Sequence, residues 1–182
     1  MIKALHDRPV PVEEALPVLR STPSTLRSLL EDLPAEWLDF CEDPQAWSPR
    51  MALGHLIRNE QVNWIPRAKI ILSTADERRF PPFDHVSDEE ESDNKPIAEM
   101  LDHFQSLRSD NLQTLGAFHL GKDDYQRTAE HPALGTVTLG QLLAAWVVHY
   151  LDHTHQIVKS LAKIHTAGVG SWRQYLAILD LA

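Results

Sequence analysis

From position 139 to 164 the chain places Leu139, Leu143, Trp146, Tyr150, Ile157, Leu161 and Ile164 at mostly three- and four-residue intervals, with no proline among them. At about 100° per residue these side chains fall on one stripe, the pattern of a long amphipathic helix. Thr138 is placed to cap its start, and Ala167–Gly168–Val169–Gly170 to end it.

Three further segments share this period. The first, from about Val12 to Leu33, is interrupted by Pro17 and Pro23, and Thr22–Pro23 reads as an N-cap followed by proline at the first helical position. Ser48–Pro49 gives a stronger start to a helix reaching about Ser73, with Leu53, Ile57, Trp64, Ala68 and Ile71 as its stripe. Pro66 should kink it, because proline lacks the amide and crowds the preceding turn. Residues 75–96 read as a solvated linker with an acidic run and three prolines. Asn94–Lys95–Pro96 then opens a helix to about Phe118, with Ile97, Leu101, Phe104, Leu107, Asn111 and Leu115 inward. A short extended piece is expected in the following connection, and a short helix from Trp172 to Leu179. Four long helices and one long crossover between the second and third predict an all-α four-helix bundle. The crossover permits a parallel neighbouring pair, which a short turn forbids.

With 182 residues, 43% hydrophobic, the chain fits one domain spanning 1–182 and can bury a core without staples. A net charge of −9 with no basic cluster disfavours nucleic acid and anionic lipid. No apolar run approaches the roughly 20 residues that span a bilayer. The N-terminal stretch lacks the apolar core of a secretory signal. The single cysteine, Cys41, reads as an ordinary thiol, so a cytoplasmic location is expected.

The candidate chemistry lies on histidines. His149 and His153 stand four apart on the last long helix and project from one face, a spacing that suits two imidazoles on one metal ion. They sit about 80° and 40° from the stripe centre, with Gln156 at about 100° on the same side. His155, at about 160°, should face solvent. Two ligands do not complete a site, and a pair of hydrogen-bonded histidines at a helix edge explains the same spacing. His55, beside Gly54 on the second helix, can meet the pair in a neighbouring packing. Glu60 falls within the apolar stripe and needs a partner if buried. It lies about 140° from His55 around the helix, so the two should not share an ion. It reads as a packing-network residue or one that orients the site, with Arg67 as a candidate partner. His6, His85, His103, His119, His131 and His165 read as surface histidines, and Trp47 as a hydrophobic staple ahead of Ser48–Pro49.

Trp47–Ser48–Pro49, Gly54–His55–Leu56 with Glu60, and His149-x-x-x-His153-x-x-Gln156–Ile157, in this order and separation, resemble the DinB/YfiT-like superfamily of small bacterial metal-binding proteins. The resemblance covers about Val12 to Ile164. It implies an up-down-down-up four-helix bundle, often a homodimer, that holds nickel, zinc or iron on three histidines. By position these are His55, His149 and His153, with Glu60 and Gln156 as candidates to support them. Many relatives carry Asp after the first histidine of the fourth helix; here Tyr150 stands there, and Asp152 is the available substitute.

The resulting expectation is a metal-dependent enzyme, with a thiol-dependent S-transferase implied by the resemblance ahead of a small-molecule hydrolase, whose partner is a small substrate or a low-molecular-weight thiol. No separate nucleophile, phosphate loop or dinucleotide fingerprint stands in the sequence. The competing expectation is a non-enzymatic, stress-related bundle that binds a metal or a small ligand.

Overall fold

The computed structural model describes residues 11–82 and 95–180. Its first helix, α1 (Val12–Leu30), runs unbroken through Pro17 and Pro23. The sequence places a helix start at Pro23, and the structure corrects this. Thr22 does not cap: its hydroxyl donates back to the Val18 carbonyl at 2.8 Å. Pro23 has no amide to give to the Leu19 carbonyl one turn earlier. The Arg108 guanidinium supplies that hydrogen bond from a neighbouring helix. A mid-helix proline is tolerated here because a buried cation takes over the acceptor it abandons.

After a single turn, α2 (Ala35–Leu38), come α3 (Pro49–Val62), α4 (Trp64–Leu72), α5 (Ile97–Ala117) and α6 (Leu139–Ile164). Ser48 caps α3, its Oγ accepting from the Met51 amide at 3.2 Å with Pro49 in the first turn. The expected kink at Pro66 becomes a break at Asn63 (φ −100°, ψ −73°), three residues upstream, near the carbonyl that proline leaves without a donor. Thr138 and Gln141 form a reciprocal capping box on α6, with bonds of 3.1 and 2.9 Å.

Cross-helix contacts fix the directions. Arg27 meets Asp102 and the Leu19 carbonyl meets Arg108, so α1 and α5 run antiparallel. Arg50 reaches the Lys95 carbonyl and Glu60 reaches Arg108, so α3 and α5 run parallel. The Leu56 carbonyl meets Tyr150 and Glu60 meets Trp146, so α3 and α6 run antiparallel. The bundle is therefore up-down-down-up, with α1, α3, α5 and α6 as its four long members. The chain between α4 and α5 makes the parallel pair possible, and residues 83–94 of it lie outside the described residues.

Leu19, Leu26, Leu53, Ile57, Phe104 and Trp146 are among the fully buried core residues, contributed by all four long helices. The extended piece in the α5–α6 connection is a two-stranded antiparallel hairpin, β1 (Thr128–His131) and β2 (Gly135–Thr138). Gly135 sits at φ 71°, where a glycine closes the turn without strain. The backbone of Phe80 and Glu130 ties the segment after α4 to this hairpin. The expected terminal helix is instead two 3₁₀ turns, Gly170–Tyr175 and Ala177–Leu179, anchored by buried Leu179.

Candidate metal centre

α3 carries His55 at its midpoint, and the antiparallel register with α6 sets it against His149 and His153. One ligand-type atom from each of the three lies within 4.8 Å of the others. The Nε2 atoms of His55 and His149 are 3.2 Å apart. His55 is buried, and the other two are half-buried at the edge of the bundle.

Neighbours hold each ring. Gln156 Oε1 lies 2.8 Å from His153 Nδ1. An amide oxygen only accepts, so Nδ1 carries the hydrogen and the Nε2 lone pair is left on the other side of the ring. Asn59 Nδ2 lies 3.0 Å from His55 Nε2, and an amide nitrogen only donates, so that Nε2 is also an acceptor. Trp47 stacks on His153 at 5.7 Å and 11° and tilts against His55 at 4.7 Å. Trp64 presents an edge-on contact to His149 at 5.2 Å. Burial first, and then the neighbouring His153 and His55, push the His149 pKa down to about 3. His149 is therefore neutral at physiological pH, as a metal ligand must be. Its Nδ1 is buried without a hydrogen-bond partner.

The closest pair of the donor set has the spacing of two ligands on one divalent cation, with the third imidazole within 4.8 Å. Two nitrogens bound to one ion at roughly 2.1 Å lie about 3.0–3.4 Å apart for angles between right and tetrahedral, and the 3.2 Å His55–His149 separation falls in that range. A cleft of about 560 Å³ opens beside His153, lined by Gln45, Trp47, Asp152, Gln156 and Lys159 among others.

Glu60 takes the packing role. It is 1% exposed, and its Oε1 accepts from Arg108 (3.0 Å), Trp146 (3.0 Å) and Tyr150 (2.5 Å). Asn111 donates to Oε2 at 2.8 Å. Arg108 on α5, itself 2% exposed, makes the ion pair that sequence spacing assigns to Arg67. Arg67 instead lies 5.0 Å above the Phe80 ring. Tyr150, where many relatives carry Asp, is fully buried, and burial with the adjacent Glu60 charge raises its pKa well above the usual phenol value. Asp152 is exposed on the rim of the cleft.

The remaining histidines fall away from this cluster. His155 is exposed, as its helical angle predicts, and lines the cleft beside His153 without joining the cluster. His103, His119 and His165 are exposed. His131 accepts the amides of Ala133 and Leu134 and closes the hairpin turn. His6 and His85 lie outside the described residues. Sequence reasoning misses Asn59, although His55, Asn59 and Asn63 stand four apart along α3 and its C-terminal cap. That polar ladder in an apolar helix is a readable signal. Trp47, expected as a staple, has its ring on two of the histidines instead.

Fold and site thus define a helical bundle with a three-histidine cluster between two antiparallel helices. The model of the DinB superfamily matches residues 19–157, and the chain belongs to that superfamily. Among solved structures it is similar to YfiT from Bacillus subtilis, described as a probable metal-dependent hydrolase with an unusual four-helix bundle topology. The TM-score is 0.71 at 20% identity, covering 84% of this chain and 87% of that one. No curated protein matches the chain. No helix among the described residues is long and apolar enough to cross a membrane.

Proposed function

We propose that this chain is a divalent-metal-dependent enzyme acting on a small molecule, with His55, His149 and His153 as the protein ligands. The observation that carries the reading is the convergence of three imidazoles from two helices, two of their Nε2 atoms 3.2 Å apart. Three neutral ligands leave the full charge of the ion available to substrate and leave coordination positions open, as catalytic sites require. Nickel, zinc and iron all accept imidazole. Such an ion supplies a lowered pKa to a water or thiol that reaches it. The protein's part is to fix the ligands: Gln156 sets the orientation of His153 through its Nδ1. Trp47 and Trp64 shield the rings from bulk water.

Hydrolysis of a small ester or amide is the leading reaction, supported by the description of YfiT as a probable metal-dependent hydrolase. Transfer of a low-molecular-weight thiol to an electrophile is the second reading, supported by the affinity of soft thiolates for zinc and nickel. A homodimer in the cytoplasm completes the proposal. Exposed Val148 and Leu151, three apart on α6, are the apolar side chains that such a contact would cover.

The test is metal content followed by turnover. Protein purified without chelator should carry about one divalent ion per chain, and the His149→Ala/His153→Ala variant none. Chelation should abolish turnover in hydrolysis or thiol-transfer assays, and readdition should restore it. Metal retained by the double variant overturns the ligand assignment. Metal bound without any chelator-sensitive turnover favours a non-enzymatic, stress-related ligand-binding bundle. Glu60 is saturated by its four donors, and the non-enzymatic reading draws on it because the carboxylate is not free to act as a base.

A further inference from the structure

We infer that Asn59 positions the exogenous ligand of the metal site by donating a hydrogen bond to it, and that the ligand therefore meets the site with an anionic or lone-pair-bearing atom such as a thiolate sulfur or an oxygen. The inference rests on the metal reading above and adds to it a residue that touches substrate. Asn59 is 2% exposed and sits one helical turn after His55. Its amide orientation is fixed twice over. Asn63 Nδ2 donates to Asn59 Oδ1 at 2.7 Å, and Asn59 Nδ2 donates to the His55 carbonyl at 2.9 Å. Turning the amide over would set two carbonyl oxygens against each other. Nδ2 therefore lies on the side of the histidine cluster, with one of its two hydrogens directed at a ring.

One of these hydrogens is held by the His55 carbonyl and the other by His55 Nε2, 3.0 Å away. When His55 ligates through Nε2, that lone pair is taken, and the second N–H of a nearly fully buried amide loses its acceptor. An unmet buried donor is costly, more so than the bond it lost was favourable. An atom sharing the cation with the three histidines would offer it an acceptor in place of His55 Nε2. A cationic or purely apolar ligand head would leave the donor unmet, whereas a thiolate or an oxygen satisfies it. The same amide thus serves the metal-free site as a partner of His55 and the loaded site as a selector of ligand.

The experiment uses full-length protein loaded with cobalt(II) and titrated with azide, followed by visible absorption. Wild type is compared with Asn59→Leu and Asn59→Ser. The serine hydroxyl is short and bonds its own helix carbonyl, so it keeps the fold if leucine does not. Cobalt should bind at the same stoichiometry and within about threefold in affinity, while azide binding weakens by roughly 10- to 100-fold, the range for a hydrogen bond to a charged group. Unchanged azide affinity with cobalt retained overturns the inference. So does a loss of cobalt affinity that matches the loss of azide, because Asn59 would then act only through His55. Failure of wild type to take up cobalt marks failure of the metal reading itself.

Discussion

Replacing Glu60 by Gln should destabilise this protein strongly, because it leaves a buried cation without its counter-charge. The carboxylate is fully buried and neutralises Arg108, whose side chain is 2% exposed. Glutamine keeps one acceptor for Tyr150 and Trp146 but turns an amide nitrogen toward Asn111, a donor, and leaves the guanidinium without a counter-charge. Removing one member of a buried pair costs about 3–5 kcal/mol. Total stability for a domain is about 5–15 kcal/mol, so this is a large share. At about 2–4 °C per kcal/mol for a chain of this size, the melting temperature should fall by roughly 6–20 °C. Tyr150→Phe, which removes one donor and leaves the charge pair intact, should cost only about 1–3 kcal/mol. Urea unfolding of metal-stripped wild type, Glu60→Leu, Arg108→Met and the double variant gives the coupling. The double variant should lose at least about 1 kcal/mol less than the sum of the singles, because it removes both charges. A Glu60→Gln protein within about 1 kcal/mol of wild type, or strict additivity in the cycle, would refute the reasoning. Because Trp146 and Tyr150 flank His149, Glu60→Gln should also weaken metal binding.

Acid should act on the metal-stripped protein through His149. Its pKa is about 3 when folded and roughly 6.5 when unfolded. The unfolded state therefore binds the extra proton between those values, and stability falls as pH drops below the unfolded pKa. From pH 7 to 5, wild type should lose about 2 kcal/mol more than His149→Gln in urea unfolding. Equal losses would show that the ring is not held neutral. Gln156→Leu removes the acceptor of the His153 Nδ1 hydrogen and should lower metal affinity by roughly 10- to 100-fold at unchanged stoichiometry, measured by competition with a chromophoric chelator. An unchanged affinity would show that His153 is oriented by packing alone.

The long helices were legible because each carries a 3–4 apolar repeat, and two of them carry a capping start signal as well. Ser48–Pro49 and Thr138 both cap where expected, and the helix from Leu139 ends at Ile164 as its stripe predicts. The partners of buried polar groups were not legible. Helical period places Glu60 in the core but does not say which helix faces it. Arg67, on the same stretch of chain, was the nearest candidate, while Arg108 comes from a helix 48 residues on. Pro23 misled for the same reason, since its local meaning is a helix start and the donor that rescues Leu19 is that same distant Arg108. His149 and His153 were readable from i,i+4 spacing alone. Adding His55 required knowing that α3 and α6 pack antiparallel, which family resemblance supplied and the register now shows. Asn59 was visible in the His55–Asn59–Asn63 ladder but means nothing until the other two imidazoles are in place.

The central claim is that imidazoles from two different helices bind one cation. Calorimetric titration of chelator-stripped protein with zinc tests it most directly, using wild type beside the single variants His55→Ala, His149→Ala and His153→Ala. The account predicts about one ion per chain for wild type and at least a hundredfold weaker binding for every variant, His55→Ala included. Wild-type affinity and stoichiometry in His55→Ala would contradict it, because the α6 pair would then be binding without its partner from α3.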